Sequence, residues 1–393
     1  MLFSICKVFS FLPLASSIPP TSASPAPNSS YEPDLAAARR NAFRIFNTVH
    51  SAMRQWGSTI NHNGVSFFFT TVPEGNLFYH GRPSPDQPDN FDWLAFEVEQ
   101  AYGFALSGMP PPHPPPPPDK PDMLSWQPSH PEVKKTQIPQ THGLRFAEGS
   151  NAQHRLVDDD NRNKPNLPPP SRSYFQTYRA TRRLKLIYID GMSAGKGSWG
   201  TTDSQDLLIT GLSRNLTNGP EFVDTLYGRI LCSLAKEWGV DGWVRMETGF
   251  EVIYCDFSPG AGLEFVRQHG SAFPNETAGS WEWNVKTLLF EALRAASQRY
   301  GGVGRARIEV DWGSMVSIFA YDVNITNPDV KRQDLPRLVG VTREEAEGIR
   351  GRLGEVVAAR KDGGMPMVDC QGVVDDIVTR FSDRLHFIAH GNL

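Results

Sequence analysis

Three features of the 393-residue sequence predict an α+β fold. Runs of β-branched and aromatic residues read as strands, and other stretches carry apolar residues at the three- and four-residue spacing of helices. The two kinds do not alternate regularly, as a doubly wound parallel sheet requires. With 39% apolar and 21% charged residues the chain can bury a core, which excludes wholesale disorder. A formal net charge of -4 provides no basic field to hold nucleic acid or an anionic membrane. The apolar N-terminal stretch falls well short of the roughly 20 residues a membrane-spanning helix needs.

That stretch reads as an export signal over residues 1–24: Lys7, an apolar run from Val8 to Ala15, then small residues to Ser24. A short disordered linker follows over 25–33. Asn-x-Ser/Thr sequons at Asn28, Asn215, Asn275 and Asn324 fit a secreted glycoprotein. Of the four cysteines, Cys6 leaves with the signal. Cys232 and Cys255 are expected to pair, closing a loop worth about 3 kcal/mol in the chain-entropy account, with Cys370 the odd thiol. No Cys/His cluster has zinc spacing, so no metal site is expected.

The first folded part, 34–109, opens with a helix from Asp34 to Met53, whose apolar residues Leu35, Ala38, Ala42, Phe46, Val49 and Met53 share a face. Strands follow at Val65–Val72 and Asn76–His80, separated by a tight turn at Pro73, Glu74 and Gly75. The next segment, 110–173, holds half of the chain's 32 prolines, including the run Pro114–Pro118, and reads as a disordered polyproline insertion. Strand-like sequence resumes in mid-pattern at Tyr174, so the insertion should interrupt one domain. Within 174–270, Tyr174–Ala180 and Leu184–Ile189 read as strands, Glu221–Trp238 as a helix, Gly249–Phe257 as a strand and Gly262–Arg267 as a short strand or turn. A C-terminal α/β extension, 271–393, has helices at Thr287–Tyr300, at Thr342–Arg360 with a capping box to Glu345, and at Val373–Ile388, around strands in Arg307–Val323.

The run Gly191-Met-Ser-Ala-Gly-Lys-Gly-Ser198 imitates a phosphate-binding loop after a strand, but only three residues separate its first two glycines and Gly197 follows Lys196. A nucleotide loop needs four, then Lys followed by Ser or Thr, so this reads as a glycine-rich turn. Sharper signals lie elsewhere. Leu77-Phe78-Tyr79-His80-Gly81 is a strand ending in His-Gly. Trp93-Leu94-Ala95-Phe96 runs into a helix carrying Tyr102. Phe250-Glu251-Val252-Ile253-Tyr254 is an apolar strand opened by a carboxylate, which is costly unless it faces a polar cleft.

At these residues the sequence resembles ADP-ribosyltransferases of the diphtheria-toxin and poly(ADP-ribose) polymerase type. The segments Trp93–Phe96, Tyr188–Gly191 and Arg245–Glu251 also resemble a group of uncharacterised secreted fungal proteins. The transferase resemblance implies a split β-sheet core with flanking helices and NAD as substrate. Glu251 would stabilise the oxocarbenium charge at the nicotinamide ribose. His80 would hydrogen-bond the other ribose, Gly81 would admit the cofactor, and Trp93 with Tyr102 would flank the nicotinamide. Water or a protein would accept the ADP-ribose. Trp93 stands where the family has Tyr, and no Glu-x-Glu pair precedes the strand, since Glu247 and Glu251 are four apart. Two other functions compete. One is a non-catalytic secreted interaction protein on the same fold; the other is a carbohydrate hydrolase using two of Asp241, Glu247, Asp256, Glu309 and Asp311. A catalytic NAD site requires His80, Trp93 and Glu251 to line one cleft.

Overall fold

The computed structural model describes residues 31–54, 64–105, 172–195, 200–211, 220–247, 249–271, 290, 307–363 and 368–390. The expected leader, the insertion from Pro110 to Pro170, the helix at Thr287–Tyr300 apart from Phe290, and three of the sequons (Asn28, Asn215, Asn275) lie outside the described residues.

The chain is α+β. Among the described residues the strands are β1 (Ser66–Val72), β2 (Leu77–Arg82), β3 (Asp92–Ala95), β4 (Tyr174–Ala180), β5 (Leu184–Ile189), β6 (Gly242–Met246), β7 (Phe250–Tyr254), β8 (Leu263–Gly270), β9 (Glu309–Val310) and β10 (Val316–Ser317). They form one sheet in the order β10-β1-β5-β6-β7-β3-β2-β4-β8, with β9 also paired to β1. The β5–β6 pair is parallel; the other pairs are antiparallel.

The strands either side of the Pro73–Gly75 turn do not pair with each other, because β1 lies between β5 and the β9/β10 edge while β2 lies between β3 and β4. Five strand steps separate β1 from β2, about 24 Å in a flat sheet at ~4.8 Å per step. The link from Val72 to Leu77 reaches at most about 18 Å fully extended. The link from Ala180 to Leu184 spans the same five steps with about 14 Å of reach. The sheet therefore rolls. Its concave face gathers Phe68, Val72, Phe78, Ala180, Leu184, Tyr188, Val244 and Tyr254 from opposite ends of the sheet into one core.

The convex face carries the alternate residues Phe67, Phe69, Ile187, Ile189, Trp243 and Ile253. It is covered by α4 (Pro220–Trp238), a π-helical turn at Ser204–Ile209 and α5 (Arg343–Arg360), through Leu208, Leu231, Ala235, Ile349, Leu353 and Val357. The Trp243 indole N–H donates to the Leu231 carbonyl at 2.8 Å, and the Cys232–Cys255 disulfide bonds α4 to the chain just past β7. The capping box of α5 forms as expected, with Thr342 and Glu345 each bonding the other's backbone N–H.

The single helix expected over Asp34–Met53 is two, α1 (Leu35–Arg40) and α2 (Ala42–Ser51). Asn41 breaks it: its backbone caps α1, and its side-chain amide donates to the carbonyls of Ala37 and Phe319. A short helix α3 (Val98–Tyr102) and a 3₁₀ turn at Gly103–Ala105 follow β3. The last helix, α6 (Cys370–His390), is held to α2 by Asp375, which bonds Arg54 at 2.5 Å and His50 at 3.0 Å. Strands from both sides of residues 106–171 interleave in the sheet, and β9 and β10 add to it from beyond residue 270. No helix among the described residues is long and apolar enough to cross a membrane.

Candidate functional site

β7, β3 and β2, which bear Glu251, Trp93 and His80, are consecutive in the sheet. Pairing fixes which side each residue takes, because residues directly opposite one another share a face. Tyr79 pairs with Ala95, Ala95 with Glu251, and Glu251 with Arg245; Trp93 pairs with Ile253 and so shares the convex face with them. His80, one residue on from Tyr79, faces the concave side beside Gln176. His80 and Glu251 are thus on opposite faces, and the three expected residues do not line one cleft.

Each of these residues is engaged in the fold. The His80 ring is 4% exposed; its Nδ1–H donates to the Trp93 carbonyl at 2.6 Å, and Nε2 lies 3.4 Å from Asp92 Oδ2. Burial opposes ionisation of Asp92, but the bond and charge of His80, the Trp93 amide and Arg82 outweigh it and hold the carboxyl below its ordinary range. Gly81 makes no room for a cofactor. A Cβ there would lie 2.3 Å from the Ala101 carbonyl oxygen and 2.6 Å from the Ala105 nitrogen, so the glycine admits the turn after α3 instead. Trp93 packs edge-on against Phe91, whereas Tyr102 packs against Phe175 in a separate apolar cluster with Tyr79, so these two rings do not form one sandwich.

Glu251 is 7% exposed. Its Oε1 accepts from Arg245 Nε, and Arg245 also donates to the Gln205 side-chain carbonyl. The network continues from Gln205 to Asp206 at 2.9 Å, and from Thr202 to Asp206 at 2.5 Å. Gln205 and Asp206 lie in the π-helical turn, a feature frequent at functional sites. Nearby, buried Glu97 accepts the Phe250 amide at 2.9 Å and fastens the β6–β7 hairpin to β3. Sequence reasoning found the carboxylate at the head of β7 but missed that Arg245, on the neighbouring strand, neutralises it; the signal was the six-residue spacing across a hairpin. In the glycine-rich turn, the amides of Ala194 and Gly195 donate to the carbonyls of Met246 and Met192, which agrees with a turn.

A groove of about 800 Å³ opens on the concave side between the β2–β3 loop and the turn after β7, with β8 as its floor. Pro85, Asp86, Pro88, Asp89, Phe257, Phe265 and Gln268 are among its lining residues. Gln176 Nε2 pins the loop through the carbonyls of Pro85 and Asp86, at 3.3 and 3.0 Å, and donates to Gln268 Oε1 at 3.2 Å. Phe257 and Phe265 both stand edge-on to buried Tyr178, with centroids 5.4 and 5.7 Å away. No sequence motif marked this groove; the dense Pro/Asp/Ser composition of residues 83–90 was its one visible trace. Among the rival carboxylates, Asp241 is spent on Arg182, at 2.6 and 2.9 Å, and on the Lys185 amide, while Glu309 bonds Arg183.

The family profile described as the YPL277C N-terminal domain matches residues 35–280, which include the groove, His80 and Glu251. The chain belongs to this family. It is 33% identical over 245 residues to the uncharacterized protein YPL277C of Saccharomyces cerevisiae, covering 61% of this chain and 45% of that protein. It is 32% identical over 252 residues to the uncharacterized protein YOR389W of the same yeast, covering 61% of this chain and 35% of that one. The chain thus spans less than half the length of these relatives. The expected kinship with an uncharacterised fungal group stands on these matches. No solved structure matches the chain.

Proposed function

We propose that this member of the YPL277C N-terminal domain family is an exported, non-catalytic binding module. The observation that carries the reading is the division of the NAD-site residues between two faces of the sheet. Glu251 is buried against Arg245 on the convex side, His80 is buried against Asp92 on the concave side, and neither lines the groove beside β8. Stabilising an oxocarbenium ion takes a carboxylate aimed at the ribose, whereas Glu251 is aimed at a guanidinium. A buried, hydrogen-bonded pair of this kind fits a role in holding β6 against β7.

Two parts of the sequence reading continue as proposals. Export is supported by the leader pattern and by the Cys232–Cys255 bond, since disulfides persist in oxidising compartments. Kinship with ADP-ribosyltransferases is supported by the order of His80, Trp93 and Glu251 along the chain, and the three strands that carry them are neighbours in one sheet. It would make this a sheet of that type without its chemistry.

Incubating the purified chain with NAD⁺ and measuring released nicotinamide tests the reading. The expected result is no release from the wild-type chain. Glu251→Gln should act on stability, costing about 3 kcal/mol or more by removing the carboxylate charge that faces buried Arg245. Nicotinamide release by the wild type that disappears in a folded Glu251→Gln protein would overturn the proposal.

A further inference from the structure

We infer that the groove between the β2–β3 loop and β8 binds a neutral oligosaccharide. This inference rests on the reading of the protein as a binding module and names its ligand. Charge is the first consideration. Among the described residues the lining includes the carboxylates of Asp86 and Asp89 and no lysine or arginine, and the guanidinium of neighbouring Arg82 is engaged with the Asp86 carbonyl. Such a surface repels phosphates, nucleotides and uronic acids, whereas a sugar hydroxyl donates to a carboxylate with no counter-ion required.

The shape of the polar groups is the second. Carboxylate and amide planes offer two atoms side by side, which suits the paired hydroxyls of a pyranose. Asp86 and Asp89 supply acceptors and Gln87 and Gln268 supply donors, while the Ser258 hydroxyl donates to Asp256 and offers its oxygen as a further acceptor. Gln268 Oε1 is taken by Gln176, which leaves its NH₂ group, among the described residues, for a ligand. Apolar surface is the third. Phe257 and Phe265 present rings at the groove, each oriented by its edge-on contact with Tyr178, and Pro85, Pro88 and Pro259 add rigid apolar walls. Aromatic rings take the C–H face of a sugar well because their own faces are electron-rich. A volume of about 800 Å³ accommodates several sugar units and lies within the range of ligand sites.

Preorganisation completes the case. The loop that carries Asp86 and Asp89 is fastened by Gln176 and by Arg82, whose guanidinium donates to the Asp86 carbonyl at 2.9 Å. The floor belongs to the β4–β8 ladder, irregular at Thr177/Tyr178, where Phe265 meets Tyr178. Binding therefore orders little that is not already ordered.

The test is calorimetric titration of the full chain with neutral hexasaccharides of glucose, mannose, xylose and N-acetylglucosamine, and with a hexagalacturonate and a hexalysine peptide as charged probes. The expected result is saturable binding of at least one neutral probe and none of hexagalacturonate. Its affinity should change less than about twofold between low and high salt, because no ion pair forms. Phe265→Ala, at a residue already 37% exposed, should weaken binding about tenfold without unfolding the protein. Asp89→Ala should weaken it as well, while Asp89→Asn, which keeps a planar acceptor, should weaken it less. No binding of any neutral hexasaccharide, or binding indifferent to Phe265→Ala and Asp89→Ala, would overturn the inference. Salt-sensitive binding of hexalysine alone would overturn the ligand class and leave the binding-module reading intact, which only NAD⁺ turnover would remove.

Discussion

Gly81 and Asp190 show how single positions are set by neighbours that are remote in sequence. Gly81 was legible as the end of a strand, but what it admits is the backbone of Ala101–Ala105 rather than a cofactor. Gly81→Ala is therefore expected to destabilise the fold by about 1–3 kcal/mol or more through overpacking, read as a lower denaturation midpoint with an unchanged slope. Asp190 is buried where β1 meets the end of β5; Oδ1 accepts the Ser66 amide at 2.7 Å. Burial raises its carboxyl to about 7, against the opposing bonds from Ser66, Thr48 and Val65. The folded state then holds this proton more tightly than the unfolded chain, whose Asp titrates near ~3.9. The Asp190 contribution is accordingly most favourable below about pH 4 and is lost as pH rises toward the folded value of about 7. Asp190→Asn should remove this dependence, so that wild-type stability relative to the variant falls between about pH 4 and 8, by an amount on the order of a few kcal/mol. Parallel melting curves across that range decide it; a pH-independent difference would show that Asp190 is ionised throughout. Nothing in the sequence around Asp190 marks it as buried, because the groups that enclose it come from α2 and β1.

Among elements, the strands β4 and β5 and the helix α5 were read at or close to their true ends, since each carries its own local pattern and its own stop. Thr342 illustrates why: its side chain accepts the Glu345 amide, and Glu345 returns the bond to the Thr342 amide at 2.7 Å, all within one turn of chain. Thr342→Ala should cost about 1 kcal/mol, a cost typical of losing a cap, measurable as a fall of a few degrees in the melting temperature. The helix over Asp34–Met53 was misread because Asn41 fits the helical spacing, and its decisive bond, to Phe319, comes from 278 residues away. Arg307–Val323 was read as one or two strands, whereas it alternates two-residue strands with one-turn helices. There Asp311 and Ser317 each cap a 3₁₀ turn, at Trp312–Ser314 and Ile318–Ala320, and side chains that bond the backbone locally compete with the sheet ladder.

At the scale of the molecule, the described residues form a rolled sheet with α4 and α5 packed on its convex side, and the Cys232–Cys255 bond ties α4 to the sheet. Replacing both cysteines with alanine should cost about 2–4 kcal/mol, and thiol titration of the denatured wild type without reductant should find neither residue reactive. Reactivity at both would mean that the bond does not form. The sequence by itself determined the α+β class, the cysteine pair, the apolar strands and the best-capped helix, because hydrophobic periodicity, caps and a small cysteine count act locally or leave few combinations. It did not determine that β1 and β2 part company across a four-residue link, that His80 and Glu251 take opposite faces, or that Pro85–Asp89 meets Phe257 and Phe265 to form a groove. Those outcomes belong to strand order and register. One residue of register exchanges the two faces of a sheet, and the order is settled by which buried surfaces fit when the rolled sheet closes over its core.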